Sequence, residues 1–396
     1  MVVAAATSAG FVSACAEAPD ETALSDHTDR YGELSRSLYP GAGPDSGDDG
    51  RFAALLSVIP ATEGALDTVS LSDYQRARNG AAPPGVDADD AEIDRWYREI
   101  ERASRLWPVA FGGRHSEIGA WRDEVGFSIL DVDAAVEAGV APDEARAYLG
   151  VDSTLVDAAV RADPGWSGEL ERRQRRAGML YDWGETADPA RAGASRLFGE
   201  AGRLLVDGDV AVRTSSAATM DDVIATLGGS ARPMTSLADD PAVMEVASTL
   251  ERLGVYSAVL SDTLISGEEE FSLSDRATDS SRRRWAGFRG SVAMLEPYRL
   301  LGFGLARDVD AETLISVIVI ANESPTAAVG NAEALRRTID EGSSFRTAQF
   351  WRDTIEIRTI GSAGSLTIAV VEPATADAIA QAWLQRDSLF WVPDTL

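Results

Sequence analysis

"YRLLGFGLARDVDAETLISVIVIA", Tyr298 to Ala321, holds two apolar runs on either side of "RDVDAE". The runs "YRLLGFGLA" and "TLISVIVIA" are rich in β-branched and aromatic residues and short for helices, so the stretch reads as a β-hairpin. "LISVIVI" is apolar at nearly every position, which predicts a mid-sheet strand with both faces covered. The glycines of "GFGLARD", Gly302 to Asp308, superficially suggest a nucleotide-binding turn, but the third glycine is missing and a strand follows where a helix is needed. Glycines inside a strand point instead to close packing, here expected under an aromatic residue. There is no Walker motif.

Outward from this hairpin the same theme repeats. "PAVMEVASTLERLG" reads as a helix ended by Gly254, followed by the strand "VYSAVLS". Ser324-Pro325 supplies an N-cap and an N1 proline for a helix running to Gly342. "TIEIRTI" and "SLTIAVV" form a hairpin across Gly361–Gly364, and "TADAIAQAWLQRD" is the last helix. Upstream, "RLLVDGDVAVR" reads as a hairpin about Asp207-Gly208, and "SAATMDDVIATLGG" as a helix closed by Gly228. "ARAYLGV" is a strand, and "STLVDAAVRAD" a helix with Ser153 as its N-cap. "LSDYQRAR", Leu71 to Arg78, reads as a short helix, and "AEIDRWYREIERASRLW", Ala91 to Trp107, as an amphipathic one.

This order, ββα twice in the C-terminal part and βα plus ββα before it, predicts an α+β fold. The expected form is two tandem two-layer sandwiches of ferredoxin-like ββα units, with helices on one face of mostly antiparallel sheets. The boundary falls in "GGSARPMTSLADD", giving an N-terminal domain over 51–235 and a C-terminal domain over 236–396. "SGEEEFSLSDRATDSSRRRWAG", residues 266–287, is read as a long polar loop inside the C-terminal domain.

Composition narrows the function classes. The 396 residues are 45% apolar and 25% charged, as in an ordinary globular protein. No apolar run in the body approaches the ~18 residues of a membrane-spanning helix. The formal charge of −28 repels phosphates, so nucleic acid is not an expected partner. Every basic residue is Arg, and one cysteine, Cys15, excludes an intramolecular disulfide and a multi-cysteine metal site.

Cys15 closes the sequence Val12-Ser13-Ala14-Cys15, preceded by the short apolar "VVAAATSAGFV". Residues 16–50 that follow are rich in Asp, Glu, Ser, Pro and Gly, the composition of a disordered tether. An aliphatic residue, two small ones and a cysteine resemble the lipobox of bacterial lipoproteins, and the Arg-only, Ala-rich composition resembles an actinobacterial source. The resemblance implies that 1–14 are a signal peptide, that Cys15 carries a diacylglycerol thioether, and that residues 15–50 hold the body off the outer face of the cell membrane. No Lys or Arg precedes Cys15, which departs from the pattern and places the expected start further upstream.

Residue types suited to catalysis are scarce. Of two histidines, His27 falls in the tether. His115, in "FGGRHSEIGAW", is the weak catalytic candidate; no G-x-S-x-G accompanies it, and neighbours in sequence seldom converge in space. "DSGDDG", Asp45 to Gly50, resembles a calcium loop but has Gly47 at a ligand position and Leu56 where the bidentate Glu belongs, so no metal and no cofactor is expected. The one unusual charge pattern sets Glu268–Glu270 against Arg282, Arg283 and Arg284, followed by Trp285. Such a cluster can clamp an anionic group with aromatic support, or fold back on its own acidic triplet. The expectation is a lipid-anchored, non-catalytic module that binds an envelope partner or a small ligand. The alternative is an extracytoplasmic hydrolase using His115 or carboxylates from separate loops.

Overall fold

A computed structural model describes residues 50–78, 118–162, 170–184, 188–196, 202–267, 292–307 and 313–393, with scattered positions between 83 and 98 and at 186, 199 and 288. Its strands are β1 (Val69–Asp73), β2 (Ala134–Ala138), β3 (Ala145–Leu149), β4 (Glu171–Arg175), β5 (Gly178–Asp182), β6 (Arg203–Asp207) and β7 (Val210–Thr214). They continue as β8 (Ser257–Ser261), β9 (Ile265–Ser266), β10 (Tyr298–Arg307), β11 (Leu314–Asn322), β12 (Ile355–Ala363), β13 (Leu366–Pro373) and β14 (Trp391–Val392). The described helices are α1 (Arg51–Leu56), α2 (Tyr74–Ala77), α3 (Ile118–Val125), α4 (Ser153–Ala162), α5 (Ala217–Thr226), α6 (Pro241–Arg252), α7 (Pro325–Glu341) and α8 (Ala378–Leu384).

Twelve strands form one mixed-in-sequence sheet, ordered β12-β13-β11-β10-β8-β1-β2-β3-β7-β6-β5-β4, and every neighbouring pair is antiparallel. The fold is thus α+β, as its sequence predicts, but tandem ferredoxin-like units do not describe it. β1 is the reason. It pairs with β2 on one side (Val69↔Ala138) and with β8 on the other (Val69↔Leu260), joining strands from both halves of the chain. Its last three residues, Leu71–Asp73, fall in the stretch read as a short helix; only Tyr74–Ala77 is helical, and Asp73 caps it by accepting from Arg76 N at 2.7 Å.

Helices cover both faces, so the body has three layers and not two. On one face α1, α5 and α6 bury Phe52, Leu56, Val223, Val243 and Leu250 against Leu71, Val136, Val212, Leu260 and Val317. On the other, α3, α4, α7 and α8 bury Trp121, Val156, Leu335 and Ile379 in a core shared with Tyr148, Phe303, Ile318 and Val371. Strands β10, β11 and β13 are buried along almost their whole length. Such strands demand cover on both sides, which a one-sided helix layer cannot supply.

Local signals are realised with small shifts. Ser324 accepts from Ala327 N at 3.1 Å and Pro325 opens α7. The β6–β7 turn is centred on Gly208-Asp209, one residue later than expected, with Gly208 at φ +60°. Asp152 and not Ser153 caps α4, its Oδ1 accepting from Thr154 N at 2.8 Å. The stretch at 228–240 is knitted to the N-terminal segment: Pro60 bridges Ser236, and Leu237 N donates to Ile59 O at 2.9 Å.

Candidate functional site

Cys15, His115, Arg282, Arg283, Arg284 and Trp285 all lie outside the described residues. The structure does show what stands at the two flanks of the Arg-bearing segment. β8 and β10 are adjacent in the sheet (Gly302↔Leu260), so the chain between them leaves the sheet and returns to it one strand over.

On the way out, β9 pairs in parallel with β14, setting Ile265 beside Trp391 and Ser266 beside Val392. Gly267 then lies flat on the Trp391 indole: a Cβ there would sit 2.9 Å from its Cε3, which only glycine avoids. On the way back, Phe288 meets Trp391 and Phe345 edge-on, with centroids 5.7 and 5.5 Å apart. Phe345 and Trp391 complete the triangle at 5.2 Å. Both flanks therefore close on a single aromatic cluster, a contact type that stabilises beyond area burial alone.

That cluster is held by a buried carboxylate. Asp387, 2% exposed, accepts from Ser344 Oγ at 2.5 Å and from Phe345 N at 2.6 Å, which fixes the turn carrying Phe345. Trp391 Nε1 donates to Arg386 O at 2.9 Å, and Leu295 N donates to Trp391 O at 2.8 Å. The Arg346 guanidinium lies 5.7 Å from the Phe345 ring centroid. The arrangement is a packed aromatic base at both flanks of residues 268–287.

Two further polar side chains hold elements together. Glu124 accepts from Ala194 N, Ser195 N and Ser195 Oγ at 2.8, 2.8 and 2.5 Å, fastening the loop at 193–196 to α3. Asn331 joins α7 to the chain before β10 and to Asn322, donating to Glu296 O at 3.1 Å and to Asn322 Oδ1 at 2.6 Å. Among the described residues no group of three or more His, Cys, Asp or Glu could hold a metal ion. No described helix is long and apolar enough to cross a membrane.

No family model matches the chain, and no curated protein matches it. Among solved structures the chain is similar to TP0453 in its crystal form IV, with a TM-score of 0.34 and 9% identity, over 84% of this chain and 99% of that one. A likeness this slight bears on neither activity nor partner.

Proposed function

We propose that this chain is a lipid-anchored envelope protein held at the outer face of the cell membrane through Cys15, with a non-catalytic binding body. One observation carries the reading: the chain's only cysteine closes Val12-Ser13-Ala14-Cys15 and is followed directly by an acidic, Pro/Gly/Ser-rich stretch. In this reading residues 1–14 are the signal, 15–50 the tether, and 51–235 and 236–396 the two parts of the body. The segment at 266–287 would present Arg282–Arg284 and Trp285 to an anionic partner or ligand; the aromatic base at Trp391 supports this by giving that segment fixed flanks.

The test is palmitate labelling and detergent phase partitioning of the chain made in an export-competent bacterium with a basic n-region supplied ahead of residue 1. The native protein is expected in the detergent phase with label, and Cys15→Ser in the aqueous phase without it. Native protein recovered unlabelled from the aqueous phase overturns the reading.

A further inference from the structure

β4 differs from every other strand of the sheet. It forms one outer edge, with β5 on its inner side and no strand beyond it among the described residues. All five of its side chains, Glu171 to Arg175, are exposed. The opposite edge strand, β12, buries Ile355 and Ile360 against the core, whereas β4 buries none of its residues. Its sequence and the turn after it read Arg172-Arg173-Gln174-Arg175-Arg176, four arginines in five residues of a chain whose formal charge is −28.

The strand is nevertheless firmly placed. Arg172 pairs at 2.9 Å with Asp157 of α4, which also pairs with Arg161 at 2.9 Å and accepts from Tyr181 Oη at 2.7 Å. Arg173 pairs with Glu171. Arg175 and Arg176 are exposed and make no ion pair among the described residues. The edge thus combines outward backbone N–H and C=O groups, which any edge strand presents, with two arginines at one end that make no ion pair among the described residues.

We propose that β4 is a docking edge for an extended acidic polypeptide segment, which adds as a further strand. Charge on an edge strand ordinarily blocks pairing with apolar chains. Here the charge left over has one sign, so it repels basic strands and attracts acidic ones. A second copy of this chain is a poor occupant, because each copy carries a formal charge of −28 and full antiparallel overlap of two β4 edges sets Arg173 against Arg173. Strand addition draws affinity from main-chain hydrogen bonds and specificity from the side chains that flank them. The proposal uses none of residues 266–287 and does not depend on the Cys15 anchor.

The experiment titrates the full chain into a fluorescein-labelled eight-residue peptide alternating Glu and Val, read by anisotropy at low salt. Saturable binding is expected, at least tenfold weaker for Arg175→Glu/Arg176→Glu, whose far-UV circular dichroism should match the parent because both side chains are exposed. The same peptide N-methylated at alternate residues is expected to bind at least tenfold more weakly, since it lacks the donors for strand pairing. Unchanged affinity on N-methylation would reduce the interaction to bulk charge and overturn the proposal. So would failure of the peptide to bind while 3:1 phosphatidylcholine:phosphatidylglycerol vesicles bind the parent and not the double variant, because the arginines would then be a membrane contact.

Discussion

Gly302 and Gly304 lie on the same face of β10, where α6 and the segment after it come down onto the sheet. A Cβ at 302 would sit 2.3 Å from Val246 Cγ1, and one at 304 would sit 2.4 Å from Val255 Cγ1 and 2.6 Å from the Ser257 carbonyl oxygen. These glycines serve close packing, as their place in a strand suggests, but the covering side chains are aliphatic and not aromatic. The two sites differ in what can yield. Val246 belongs to a helix that can shift slightly, whereas Ser257 O is part of the neighbouring strand. Gly304→Ala is therefore expected to destabilise by about 1–3 kcal/mol, the range for overpacking a core, and Gly302→Ala by less. Urea unfolding followed by Trp fluorescence measures both; equal stability of Gly304→Ala and parent would show that the close approach at β8 is not real.

At the scale of an element, α1 has no side-chain cap of its own, since Gly50 stands at the N-cap. Its acceptor comes from α6: Glu251 Oε1 takes Arg51 N at 2.8 Å and Phe52 N at 3.4 Å. Arg51 then reaches Asp73 at 3.0 Å, and Arg76 donates to Glu251 O at 2.9 Å, so α1, β1 and α6 share one polar joint. Burial raises the Glu251 pKa above its ordinary 4.5, against the opposing pull of those backbone N–H groups and Arg76. A carboxylate whose folded pKa is raised binds its proton more tightly folded than unfolded. Its contribution therefore favours the fold less as pH rises from about 4.5 through the raised value. Glu251→Gln keeps the acceptor and removes the charge, so the stability of the parent relative to this variant should fall across that window. A relative stability that grows with pH would contradict the assigned direction. Glu251→Ala leaves two helix-start donors without their acceptor and should cost about 1–3 kcal/mol.

For the whole molecule, the decisive fact is that β1 stands between β2 and β8. A fragment comprising residues 236–396 would keep the β8-β10-β11-β13-β12 ladder but lose β1 and the cover of α1. The bare β8 edge, carrying Ala258, Val259 and Leu260, is then open to pairing with other chains. Light scattering on that fragment is expected to show self-association; a stable monomer would mean that β8 does not need β1.

Much of the element list was legible in the sequence, and the reasons are local. The β10–β11 and β12–β13 hairpins announce themselves through adjacent apolar runs, and α7 through Ser324-Pro325. β1 escaped because "VSLSD" is five residues long with serine at alternate positions, and both Ser70 and Ser72 are buried. β2 escaped because its alanines carry little strand preference. The run at 172–176 holds four arginines in five residues, but only the sheet order shows that it lies at an edge with no strand beyond it among the described residues.

By itself, then, the sequence determined the β6–β7, β10–β11 and β12–β13 hairpins, the Ser324 cap and the α+β class, signals that depend on residues within a few positions of each other. Only the tertiary structure decided that one sheet runs through both halves, that helices close both of its faces, and where its edges fall. Those features depend on Val69 meeting Ala138 and Leu260, partners that are chosen by shared burial in the core and that no local pattern encodes.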